Sequence, residues 1–144
     1  MSHHQQPLSK EQMLARVQEE LDRPPFHAFL APRTHSADPE SGEIVIELPW
    51  QDAFSLSATE KYYHGGIISS LIDLAGHAVI ATHTGGVAPT IDLRIDYLRP
   101  APGVSLFAHA VALSVGRTLG RADIRIIAQD KTVAVGRGAF RVLG

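Results

Sequence analysis

The chain has 144 residues, a length typical of one domain. With 44% hydrophobic and 19% charged residues it is globular rather than disordered. A net charge of −2 provides no broad basic field, which argues against a nucleic-acid partner. There is no cysteine, which excludes a disulfide framework, a thiol nucleophile and a thiolate metal site, and suits a reducing cytoplasm.

The first residues, Met1-Ser2-His3-His4-Gln5-Gln6, lack the basic and apolar regions of a signal peptide. The His3-His4 pair sits on the terminus, and no metal role is expected of it. Ser9 followed by Gln12 matches a capping box, Glu11 adds a favourable charge in the first turn, and Met13, Leu14, Val17 and Leu21 recur at helical spacing. This predicts an amphipathic helix over residues 9–22, stopped by Pro24-Pro25. A weak strand over 26–32, a polar turn over 36–42 and a firm strand over 43–48 follow, the two strands pairing as a hairpin. Residues 51–63 read as irregular, with a short strand at 54–57.

The central helix is expected over residues 65–82, with Gly85-Gly86 as its stop. Its apolar run is broken by Ser69, Ser70, Asp73, Gly76 and His77, so no membrane span is expected and a soluble cytoplasmic protein is. Four strands complete the chain, over 90–98, 104–115, 122–129 and 132–142. In the first, Ile91, Leu93, Ile95 and Tyr97 alternate with Thr90, Asp92, Arg94 and Asp96, the latter group reading as a solvated face. A long apolar helix followed by an antiparallel meander predicts an α+β fold, one sheet wrapped around that helix.

The helix carries the chemistry. Ile68, Leu71, Ile72, Ala75 and Val79 form a wide apolar stripe; Gly66, Ser69, Ser70, Asp73, Gly76 and His77 form a second stripe, small and polar. A stripe of that kind, without Lys, Glu or Arg, implies close approach by another copy of the chain, with a ligand in the seam. At the helix N-terminus, Gly65 and Gly66 leave N–H groups free to hold an oxyanion. Asp73 offers a carboxylate as general base or nucleophile. These groups are eight positions apart, or about 12 Å along the axis. Reacting groups must lie within about 3–3.5 Å of one carbonyl carbon. If both act on one bond they come from different chains, which makes the site a dimer site.

His64-Gly65-Gly66, the acid at Asp73, Thr90-Ile91-Asp92 and Ile95-Asp96-Tyr97-Leu98-Arg99-Pro100-Ala101 together resemble the hotdog-fold acyl-CoA thioesterases of the phenylacetate-degradation (PaaI-like) type. The resemblance spans Gly42 to the C-terminus. It implies an N-terminal tail and helix over 1–25 and a single hotdog domain over 26–144. It also implies metal-free, cofactor-free hydrolysis of an acyl- or aryl-acyl-CoA. By position, Gly65 polarises the thioester carbonyl, Asp73 of the partner chain is base or nucleophile, and Thr90 places the water or orients the acid. His64 and Gly66 contact substrate, while Arg99 and the turn Gly116-Arg117-Thr118 border a common CoA groove. Relatives are often tetramers of paired dimers. They also often carry Asn or Gln about six residues before the His-Gly-Gly, where this chain has Ala58, with Thr59 and Glu60 beside it.

Two other readings compete. A hotdog dehydratase or hydratase needs a catalytic His paired with an acid in a different motif, which is not found. A non-catalytic acyl-CoA-binding or regulatory module is compatible with Ala58. The Gly116 to Gly120 stretch is not a phosphate-binding P-loop, since it lacks the lysine and the strand–loop–helix context.

Overall fold

The computed structural model describes residues 7–143, so the His3-His4 pair lies outside the described residues. Helix α1 (Lys10–Asp22) starts on the expected capping box. The Ser9 hydroxyl accepts the Gln12 N–H at 3.2 Å, and the Gln12 side chain accepts the Ser9 N–H at 2.9 Å. Met13, Val17 and Leu21 are buried on the face that meets the rest of the chain. The strand expected over 26–32 is instead a short helix, α2 (Pro25–Leu30). Pro25 occupies the first turn, where its missing N–H costs nothing, and Ala31 ends the helix in the left-handed region at φ 55°. Pro24-Pro25 therefore stop one helix and start another.

The hairpin partner comes later than expected, as β1 (Arg33–Ala37), and pairs antiparallel with β2 (Ile44–Leu48). The turn between them uses Gly42 at φ 76°, a conformation that favours glycine. No strand forms at 54–57. Asp52–Phe54 makes one 3-10 turn, and isolated bridges join Ser55 to Tyr63 and Tyr62 to Pro102. Tyr63 is buried in this crossing. Its hydroxyl donates to the Val104 carbonyl at 2.7 Å and the Leu48 carbonyl at 3.3 Å, and its ring meets Trp50 edge-on.

Helix α3 (Gly65–Thr84) is capped by His64 and terminated by Gly85 at φ 77°. Strands β3 (Thr90–Tyr97), β4 (Leu106–Val115), β5 (Leu119–Ala128) and β6 (Lys131–Arg141) follow. Every pairing is antiparallel, and the strand order is β1-β2-β4-β5-β6-β3. This is a six-stranded sheet wrapped around one long helix, the α+β hotdog arrangement. The predicted apolar stripe of α3 is buried throughout, against Ile44, Ile46, Leu106, Ile124, Ile126 and Phe140 of the sheet.

By length and composition alone, α3 could cross a membrane. Its polar interruptions therefore do not rule out a span as the sequence suggested; α3's apolar face is instead covered by this chain's own sheet.

The small-residue stripe of α3 serves the interior as well as the surface. Gly76 is not left for another copy: a Cβ there would lie 2.5 Å from Phe140 Cζ, so its smallness seats α3 on β6. Gly136 plays the complementary part, since a Cβ there would lie 2.5 Å from Ile72 Cγ2.

Gly76→Ala should overpack this contact and cost about 1–3 kcal/mol in chemical denaturation. Tyr63→Phe should cost about 1–3 kcal/mol by removing the hydroxyl that bonds the Val104 and Leu48 carbonyls. Burial pushes the Tyr63 phenol well above its ordinary 10.0, so the folded form holds the proton longer than the unfolded chain does. The stabilisation is complete below pH 10 and is lost as pH rises beyond it. Tyr63→Phe should lack that alkaline loss in a pH-dependent melting series.

Candidate active site

Two clusters lie along α3, each pinned to β3. At the helix start, His64 Nδ1 accepts the Gly66 N–H at 2.8 Å, so the imidazole is the N-cap. The Ile67 N–H bonds the His64 carbonyl at 3.0 Å. Among the described residues no acceptor is found for the Gly65 N–H, which leaves it the open donor at the positive end of the helix. Gly66 thus contributes the absence of a side chain, because its N–H is already used. Tyr97, at the far end of β3, donates its hydroxyl to the Gly65 carbonyl at 2.8 Å and holds that first peptide in place.

The second cluster is the acid. The Thr90 hydroxyl donates to Asp73 Oδ1 at 2.5 Å. No partner is found for Oδ2 among the described residues, so one carboxylate oxygen is oriented and the other is open. Asp73 is half-buried on the helix, and Thr90 is exposed. The sequence alternation put Thr90 on the opposite face from Leu93 and Ile95, and the structure shows why that fails. In the β3–β6 register, Thr90 faces Phe140 and Asp92 faces Ala139, so Ile91 is an extra residue, a β-bulge. The bulge turns Thr90 to the helix side, where it meets Asp73, and leaves Ile91 58% exposed.

Gly65 and Asp73 remain on one continuous helix, about 12 Å apart along its axis. Between them, the Ser69 and Ser70 hydroxyls both donate to the Gly66 carbonyl, at 2.9 and 2.8 Å. His77 is spent within the chain, bonding the Ala88 carbonyl and Glu20. What the small-residue stripe offers to the outside is therefore Gly66, Ser69, Ser70 and Asp73. They adjoin the unpaired edge of β3, where Ile91, Tyr97 (52%) and Leu98 (53%) are exposed.

The predicted CoA-contacting residues are not brought together within one chain. Gly116, Arg117 and Thr118 form the turn between β4 and β5, and Leu119 pairs with Arg141 beside Phe140 and Thr90. Arg99 follows the opposite end of β3, about 30 Å along the strand. In the loop around Ala58, Ser57 Oγ and Thr59 Oγ1 bond each other at 3.2 Å, and the Glu60 N–H donates to Ser57 Oγ. Among the described residues no group of three or more His, Asp or Glu could hold a metal ion.

Sequence reasoning missed Tyr97 as a site residue. Its available signal was a hydroxyl-bearing aromatic on the same face as Leu93 and Ile95.

The sequence model of the thioesterase superfamily matches residues 60–135. A Halobacterium salinarum protein named as a candidate esterase is 37% identical over 117 residues, covering 73% of this chain and 77% of its own. The X-ray structure of a thioesterase-superfamily protein is similar at TM-score 0.85 and 30% identity, covering 91% of this chain and 98% of the other. The Escherichia coli PaaI protein from the phenylacetic acid degradation operon is similar at TM-score 0.80 and 26% identity, covering 94% and 96%.

Proposed function

The chain belongs to the thioesterase superfamily, and from that premise we propose that it hydrolyses an acyl-CoA or aryl-acyl-CoA at a site shared between two copies. It is a hotdog-fold thioester hydrolase. The observation that carries the finer reading is the open Gly65 N–H and the open Asp73 Oδ2, about 12 Å apart on one rigid helix. Within a chain they cannot reach one carbonyl. The exposed β3 edge and the neighbouring small-residue surface of α3 favour a two-fold dimer, in which Gly65 of one copy approaches Asp73 of the other.

In this reading the thioester oxygen accepts the Gly65 N–H, and the helix dipole stabilises the oxyanion as it forms. Asp73 Oδ2 of the other copy takes a proton from water, and the water oxygen bonds to the carbonyl carbon. The tetrahedral intermediate then collapses, the C–S bond breaks, and the CoA thiolate leaves and takes up that proton. Thr90 keeps Oδ1 occupied so that Oδ2 faces the water. His64 fixes the first helical turn, and Gly66 leaves room for the substrate. Arg99 and the Gly116-Arg117-Thr118 turn would contact one CoA only from different protomers, which fits a dimer or a tetramer of paired dimers. We place the enzyme in the cytoplasm.

Purified protein should release free thiol from members of an acyl-CoA panel, and Asp73→Asn should lower kcat by roughly 10²–10⁴-fold. Equal rates for the two proteins would overturn the assignment of Asp73. Tight binding of the esters without thiol release would instead indicate a binding module, the reading that Ala58 favours. A trapped acyl-enzyme on Asp73 would convert the base into a nucleophile. A Cβ at Gly65 meets the Tyr97 hydroxyl at an ordinary 3.4 Å, so Gly65→Ala should fold with unchanged melting while kcat/KM drops. Equal mixing of the impaired Gly65→Ala and Asp73→Asn chains should raise activity above either alone, towards about a quarter of wild type, because half the dimers are mixed and each of those has one intact site. No recovery, or an active monomer, would sink the shared site.

A further inference from the structure

Behind the Thr90–Asp73 pair stands a second polar pair for which the reaction has no direct use. Glu20 of α1 is only 7% exposed, and His77 lies one turn beyond Asp73 on α3. His77 Nε2 is 2.7 Å from Glu20 Oε2, and His77 Nδ1 is 2.9 Å from the Ala88 carbonyl oxygen. Arg23 holds the other Glu20 oxygen at 3.0 Å. Ala88 is fully buried, and only Pro89 separates it from Thr90. Proline fixes one backbone torsion of that link, and the Arg141 N–H of β6 donates to the Pro89 carbonyl at 2.8 Å. The backbone that delivers Thr90 to Asp73 is thus tied on one side to β6 and on the other to His77.

We infer that Glu20 and His77 form a positioning dyad that locks Ala88-Pro89 and thereby sets the Thr90–Asp73 hydrogen bond. Its catalytic consequence rests on the role of Asp73 proposed above. The dyad makes α1, which lies away from the reacting atoms, part of the support of the acid.

The dyad's two bonds carry a proton requirement. A carbonyl only accepts, so Nδ1 must carry a hydrogen. Nε2 faces a carboxylate, so the pair is satisfied only while one further proton is shared between them. Without it, two lone pairs face each other across 2.7 Å. Glu20→Gln removes the requirement without removing the bonds, because a glutamine amide can donate to an unprotonated Nε2.

The test uses the full chain and four variants: His77→Phe, Glu20→Gln, Thr90→Ala, and His77→Phe with Thr90→Ala. His77→Phe keeps a planar ring and deletes both bonds. It should shift the backbone amide resonances of Thr90 and Asp73, and lower kcat roughly 10–100-fold with KM nearly unchanged. Adding it to Thr90→Ala should lower kcat no further, since the dyad acts through Thr90. Glu20→Gln should keep the wild-type resonances and kcat, because the glutamine amide preserves the bond to His77 Nε2. Unmoved Thr90 and Asp73 resonances in His77→Phe would overturn the inference, and so would multiplying effects of the two substitutions. If those resonances move while Asp73→Asn hydrolyses thioesters at the wild-type rate, the dyad stands as a positioning device and the catalytic reading of Asp73 falls.

Discussion

The distance between α3 and the inner face of the sheet is the constraint on which the rest depends. It is set where Gly76 meets the Phe140 ring and where Gly136 lies under Ile72. Neither contact has room for one more carbon, and a packed interior adjusts little. The helix is therefore held close enough to β3 for side chains of that strand to reach it. Thr90 reaches Asp73, and Tyr97 reaches the Gly65 carbonyl, only because the rod carrying both sits this low on the sheet. Glycine is a weak helix former, and here its cost within α3 is offset by the placement it allows.

The two clusters divide the labour of holding α3 rigid. At its N-terminus the support is local: a histidine cap, two serine hydroxyls turned back on one carbonyl, and a tyrosine reaching over from β3. At Asp73 it is long-range, since Thr90, the loop before it and α1 all contribute. An N-terminal donor needs only a fixed helix end. A carboxylate with one open oxygen needs its other oxygen held, and no residue nearby in the sequence does that.

What could be read from the sequence was whatever depends on near neighbours. The α1 capping box, the α3 apolar stripe and the glycine stop at Gly85 are local patterns, and the structure reproduces them. The Gly65–Asp73 separation was equally legible, since it follows from helical rise alone. What failed depended on partners elsewhere in the chain. Phe26 to Leu30 resembles a strand in composition, yet Pro25 starts a helix there. β1 is polar and sits at a sheet edge, so it gave no alternating signal. The face of Thr90 was misassigned because the bulge exists only in the register with β6. Tyr97 and the Glu20–His77 pair meet their partners across gaps of 32 and 57 residues, beyond any local pattern.

The bulge at Ile91 also changes what counts as a severe alteration in this stretch. Its side chain points outward, so its identity has little bearing on the interior. Its presence as one unmatched residue decides which way Thr90 faces. Replacing Ile91 would leave the parity of β3 intact, whereas removing it would reverse Thr90 and leave Asp73 Oδ1 without its donor. When relatives are aligned here, a one-residue gap at this position carries more functional meaning than any exchange of the residue that fills it.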